Sequence, residues 1–268
     1  MNKIAFYIFI ITIVVNSCSS NKYAATNKVY KHQAKAFGKI ISQSPVKDIY
    51  NPSAWVGTTN FGLRKPNFVI IHHTAQNSCE QTLQTFTLPH TEVSAHYVIC
   101  KDGTVHHMLN DYLRAWHAGA GSWGNDKDIN SSSIGIELDN NGFDSFPSAQ
   151  INSLLTVLDT LKKRYNIPEA NFIGHADIAP TRKNDPNAKF PWQLLSQNGY
   201  GLWYDDTSKI SIPEDFSSTQ ALRIIGYSVT DTAAAIEAFK RHYEMLDTSR
   251  TLNDGDKKIL YDLMKKYQ

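Results

Sequence analysis

The chain has 268 residues, close to twice the roughly 150 residues of a typical domain, so one large domain with a small companion is expected. Apolar residues make up 41% and charged residues 19%, with 14 Gly and 10 Pro, which excludes disordered, collagen-like and disulfide-dense classes. Basic residues exceed acidic ones by only 27 − 25 = +2, so no nucleic-acid partner is expected, and the 3 Cys form no CxxC pair of the zinc-finger or redox type.

In chain order, Lys3 precedes an apolar run over residues 4–15 that is too short to span a bilayer and reads as a secretory signal. It ends at Val15-Asn16-Ser17-Cys18-Ser19-Ser20, which resembles a bacterial lipobox. Residues 1–17 would then be a lipoprotein signal peptide and Cys18 the lipid-bearing N-terminus, with an outer-membrane, periplasm-facing location expected. Residues 18–65 are rich in Ser, Asn, Lys and Ala with no sustained apolar period, and read as a tether followed by a surface arm. Residues 68–71 form a β-branched strand that delivers His72 and His73. A strand at 94–100, a Lys101-Asp102-Gly103 turn and a returning strand at 104–109 make a hairpin. Residues 133–138 are a further strand, 148–166 a helix with Ser148 as candidate N-cap, and 171–174 a strand ending at His175. Strands interleaved with helices imply an α/β fold, a mixed central β-sheet flanked by helices, over residues 66–206. Strand signals stop after Trp203, and helices at 217–225, 231–245 and 254–267 imply a small helical domain over 207–268.

Eight of the ten His lie between residues 72 and 175. Two imidazoles at strand ends with a nearby carboxylate match a catalytic zinc site with a fourth position open to water, although such His are also often rim or core residues. Cys79 and Cys100, 21 residues apart, are read as unpaired thiols in packed strands in preference to a disulfide.

Five ordered motifs carry a resemblance over about residues 66–203. They are Ile71-His72-His73-Thr74-Ala75, the run from Ser133 to Asn140, His175-Ala176-Asp177 before Pro180, Arg182-Lys183-Asn184-Asp185-Pro186, and Phe190-Pro191-Trp192. The chain resembles the zinc-dependent N-acetylmuramoyl-L-alanine amidases of type 2, whose fold is shared with peptidoglycan recognition proteins. It is most similar to their lipoprotein branch, which adds a C-terminal helical module of peptidoglycan-binding type. The resemblance implies His72, His175 and Asp185 as zinc ligands, Glu137 as the catalytic carboxylate and Lys183 as its basic partner. It implies a peptidoglycan or muropeptide substrate cut between N-acetylmuramic acid and L-Ala. His73, Thr74, Trp116 and His117 are expected to contact substrate, with simple packing as the alternative for each. The helices after residue 206 are expected to hold polymeric wall and take no part in the chemistry. The chain is expected to act as a monomer. The rival to an enzyme is a peptidoglycan-binding lipoprotein without turnover, and a cut at a different stem-peptide amide would use the same metal site.

Overall fold

The computed structural model describes residues 21–43, 58–245 and 247–268. The expected signal peptide and Cys18 lie outside them. The chain divides into two compact units, Met1–Phe61 and Gly62–Gln268.

The first unit corrects the reading of residues 18–65 as tether and arm. It contains an 18-residue helix, α1 (Ala24–Ile41), with no buried residue. Its segment is dense in Ala and Lys, good helix formers, and its apolar stripe is diluted enough by Thr26 and Gln33 to escape a periodicity test.

The second unit is built on a sheet of order β3-β2-β4-β1-β5, with β1 (Phe68–His73), β2 (Tyr97–Ile99), β3 (Val105–His107), β4 (Ser133–Leu138) and β5 (Phe172–Gly174). β1 runs parallel to both β4 and β5, β2 is parallel to β4, and only the β2–β3 hairpin is antiparallel. Four parallel strands therefore end at the same edge, where functional groups of α/β sheets collect. The register sets His72 opposite Glu137 and Ile71 opposite Gly174, the residue before His175.

Side chains alternate between the two faces of the sheet. Val69, Ile71, Ile134, Ile136 and Leu138 pack with Leu154, Leu158 and Leu161 of α4 (Ser148–Tyr165). Ser148 is the first residue of this helix and Pro147 its cap, while the turn out is made by Asn166 at φ 51°. On the opposite face Ile70 and Ile173 share a core with three C-terminal helices, α7 (Ser218–Ile225), α8 (Thr232–Tyr243) and α9 (Asp254–Tyr267), through Leu222, Phe239 and Leu263 among others. The helical segment expected as a second domain thus forms the second covering layer of the sheet, within the same compact unit.

The expectation of free thiols is also corrected. Cys79, at the start of α2 (Cys79–Thr85), is joined by a disulfide to Cys100, just past β2, their Cα atoms 5.3 Å apart. Helix α2 packs along that strand, and sequence spacing alone carried no sign of it. Before β1, Arg64 fastens the entering segment through Nη1 to Ser131 O (2.9 Å) and Nη2 to Asp111 O (2.9 Å).

Candidate metal centre and active site

At the shared strand edge His72 is the penultimate residue of the central strand β1, and His175 opens a one-turn helix, α5 (His175–Ile178), directly after β5. The following loop turns back so that Asp185 O accepts from Ala176 N at 2.7 Å, which brings the Asp185 carboxylate over the two rings. His72 Nδ1, His175 Nδ1 and Asp185 Oδ2 then lie 2.9, 3.1 and 3.0 Å from one another, and all three residues are buried.

The protons on the two rings follow from what stands behind them. His175 Nε2 lies 3.0 Å from Ala118 O, a pure acceptor, so Nε2 carries a hydrogen and Nδ1 is the nitrogen that faces the trio. Behind His72 the argument runs through three links. Ser133 Oγ donates to Ile129 O, so it accepts from His117 Nε2 at 3.1 Å; His117 Nδ1 then accepts from His72 Nε2 at 3.0 Å. Burial pushes His117 well below its ordinary 6.5, so its ring holds one hydrogen and the relay has one direction. Burial, with His175 alongside, lowers His72 to about 4, so it too is neutral. Two imidazole Nδ1 atoms and a carboxylate oxygen therefore converge on one point. This donor set fits a divalent cation, with its second ring nitrogens already fixed by outer partners.

Glu137 stands beside the trio, Oε1 4.0 Å from His72 Nδ1, and its Oε2 is buried with no hydrogen-bond partner among the described residues. Burial, and then the charge of Asp185, push its pKa to about 8, against a smaller opposing pull from Lys183. A carboxyl that holds a proton near neutrality at the mouth of a cation site is suited to proton transfer. The Lys183 side chain is exposed on the facing loop and forms no ion pair among the described residues.

A cavity of about 350 Å³ opens here. His72, His73, Thr74, Trp116, His117, Glu137, His175, Lys183 and Asp185, all nine residues expected from the sequence, line it. Their positions differ from expectation in two cases. His117 sits behind His72 with both nitrogens engaged, its ring laid against Gly135, where a Cβ would come within 2.4 Å. Thr74 Oγ1 is tied to the backbone of Asn140, donating to its carbonyl at 3.2 Å. Trp116 is half exposed at the rim, and His73, on the other face of β1, lies against Gly142.

Two contributors were missed. Arg182 Nη2 donates to Ala118 O and Ala120 O, both at 2.7 Å, fixing the segment that holds His175 Nε2; it sits inside a quoted motif but one position before the lysine that drew notice. Asp177, also within a motif, is buried and accepts from Gly174 N (2.7 Å), His242 Nδ1 (2.7 Å) and Tyr227 OH (2.8 Å). His242 stacks on Trp192 at 3.9 Å between centroids, so α8 and the segment after α7 clamp the turn that carries His175.

The N-acetylmuramoyl-L-alanine amidase model (Amidase_2) matches residues 62–188, the stretch that holds the cation trio and Glu137. That stretch is just under half of the chain, and it is similar to the type-2 amidases. The N-acetylmuramoyl-L-alanine amidase AmiD of Escherichia coli is 37% identical over 153 residues, 51% of this chain and 54% of that protein. The 1,6-anhydro-N-acetylmuramyl-L-alanine amidase AmpD of Citrobacter freundii is 39% identical over 105 residues, 39% of this chain and 56% of that one. The chain spans about half the length of these curated relatives. Structural agreement extends further. A complex of E. coli AmiD with anhydro-N-acetylmuramic acid-L-Ala-D-γ-Glu-L-Lys superposes with TM-score 0.69 and 28% identity, covering 79% of this chain and 93% of that one. AmpDH3 of Pseudomonas aeruginosa gives 0.70 and 27%, covering 81% and 98%.

Proposed function

We propose that this protein is a type-2 amidase, a zinc hydrolase that cuts the amide between the lactyl group of N-acetylmuramic acid and L-Ala of the stem peptide, in peptidoglycan or muropeptides, during cell-wall turnover. The observation that carries the reading is the convergence of His72 Nδ1, His175 Nδ1 and Asp185 Oδ2, next to the protonatable Glu137. A binding protein without turnover needs neither feature. Two neutral imidazoles and one carboxylate are ligands typical of catalytic zinc, which supplies a Lewis acid and lowers the pKa of water from about 15.7 to about 7. Positive charge in the trio draws the Glu137 pKa down from about 8 toward neutrality, where the carboxylate can accept the proton of an attacking water. Glu137 then returns that proton to the departing L-Ala amine, so one residue serves as base and acid. The Lys183 ammonium faces the cavity and offsets charge that develops on the carbonyl oxygen. His117 holds the His72 ring in the tautomer that leaves Nδ1 free, a positioning role.

The substrate class is supported by the relatives, since AmiD and AmpDH3 have been solved with anhydro-muramyl peptides. A periplasm-facing location at the outer membrane, with lipid on Cys18, is supported by the signal-like residues 1–17 and by the Cys79–Cys100 disulfide, a bond of oxidising compartments. Palmitate labelling of the parent and Cys18→Ala tests the anchor, and equal labelling refutes it. Mass spectrometry of purified muropeptides incubated with zinc-loaded protein tests the reaction. Release of an intact stem peptide with a free L-Ala amine is expected; unchanged muropeptide, or scission at another amide, overturns it.

A further inference from the structure

Helix α1 carries an unusual distribution of side chains. Residues 21–43 contain five Lys and no Asp or Glu. Lys28, Lys31, Lys35 and Lys39 follow spacings of three, four and four, which at about 100° per residue confines them to one face. Val29, Tyr30, Phe37, Ile40 and Ile41 occupy the opposite face. No residue of the helix is buried, and Val29, Phe37, Ile40 and Ile41 are 56%, 49%, 64% and 70% exposed. A helix of this length gains little in water without a surface to cover its apolar stripe.

We infer that α1 is a membrane-surface helix that docks on an anionic phospholipid leaflet, its Val29–Phe37–Ile40 face sunk at the acyl boundary and its lysines among the headgroup phosphates. Charge complementarity selects this occupant. Four lysines on one face with no acidic residue to neutralise them match a negatively charged interface, where each adds to binding and their long stems let the ammonium groups reach the phosphates. A second copy of α1 meets the same unneutralised positive charge, and a polar glycan offers no apolar surface for the stripe. Among the described residues no helix is long and apolar enough to cross a bilayer, so the helix would lie along it. The inference does not depend on a lipid at Cys18. If the proposed lipid is present, five residues separate Cys18 from Ala24, a reach of at most about 20 Å, and the two contacts would act on one surface.

The test uses the full chain carrying Cys18→Ala throughout, so that no lipid contributes and residues 1–17 are common to every protein. Flotation is measured with vesicles of phosphatidylcholine alone and with a phosphatidylglycerol fraction of about 30%. The chain should bind the anionic vesicles at least about tenfold better, and binding should fall as salt rises. The variant Lys28→Gln/Lys31→Gln/Lys35→Gln/Lys39→Gln and the variant Val29→Ser/Phe37→Ser/Ile40→Ser should each lose at least about tenfold, while the 62–268 unit melts as in the parent. Flotation of both variants like the parent overturns the inference, as does equal binding to both vesicle types. Helix-dependent self-association in sedimentation, or helix-dependent retention on peptidoglycan sacculi without vesicle binding, also overturns it by naming a different occupant.

Discussion

Removing the hydroxyl of Tyr227 should loosen the metal-ligand turn from a distance. Asp177 is buried two residues after His175, and its carboxylate accepts from Gly174 N, His242 Nδ1 and Tyr227 OH. A hydrogen bond to a charged group contributes about 1.5–3 kcal/mol, so Tyr227→Phe should cost about that much. The 62–268 unit has 207 residues, for which each kcal/mol lowers Tm by about 2–4 °C, giving a drop of about 3–12 °C. His242→Ala removes the 2.7 Å bond to Asp177 and the ring stacked on Trp192, leaves the carboxylate less compensated, and should cost about 3–5 kcal/mol. Because Gly174 and α5 position His175, His242→Ala should also weaken metal binding about 10–100-fold. Thermal unfolding by circular dichroism and metal titration against a chromophoric chelator measure both effects. Parent-like melting of both variants would refute the clamp. Lower Tm with unchanged metal affinity would refute its coupling to the site. A chain ended near Asp206 lacks the clamp and uncovers Ile70 and Ile173, so it should fail to fold, contrary to a division of labour in which the helices merely hold wall polymer.

Gly135→Ala would place a Cβ within 2.4 Å of the His117 ring; an overpacking cost of about 1–3 kcal/mol and weaker metal binding are expected, and a variant that binds metal like the parent contradicts the His117 support. Replacing Cys79 and Cys100 together by Ala removes a cross-link over 21 residues and should lower stability by about 3 kcal/mol, read by urea unfolding; thiol alkylation of the denatured, unreduced parent should find neither cysteine reactive. His96 gives a pH dependence. Burial lowers its pKa from 6.5 to about 4, and as a neutral ring it accepts from Gly135 N and donates to Leu113 O. Between about 4 and 6.5 the unfolded chain binds a proton that the folded chain refuses, so the stability that His96 contributes is complete above 6.5 and is lost as pH falls toward 4. His96→Gln should flatten the fall in unfolding free energy from pH 7 to pH 5 by up to about 1.4 kcal/mol per pH unit, and an unchanged slope refutes the assignment.

The strands of the sheet were legible because residues 68–71 and 133–138 are short apolar, β-branched runs that deliver polar groups at their ends, a pattern set by local chemistry. The trio and Glu137 were legible from residue types at strand ends together with the family motifs. What escaped was decided by contacts distant in sequence. The place of His117 depends on the missing side chain at Gly135, 18 residues away on another strand. The disulfide depends on α2 lying beside β2, and the covering role of the C-terminal helices on which surface accepts their apolar faces, since their periodicity reports only that such faces exist. Helix α1 escaped for a different reason: Thr26 and Gln33 interrupt its apolar face, and none of its residues is buried.

The most direct test of the central claim separates the cation from the proton carrier. Metal content by elemental analysis and muropeptide turnover are measured together on the parent, Asp185→Ala and Glu137→Gln, with circular dichroism confirming the fold. The account predicts one zinc per parent chain, loss of both zinc and turnover in Asp185→Ala, and retained zinc with turnover reduced at least about 10²-fold in Glu137→Gln. Full turnover by Glu137→Gln, or zinc retained at parent level by Asp185→Ala, would contradict it.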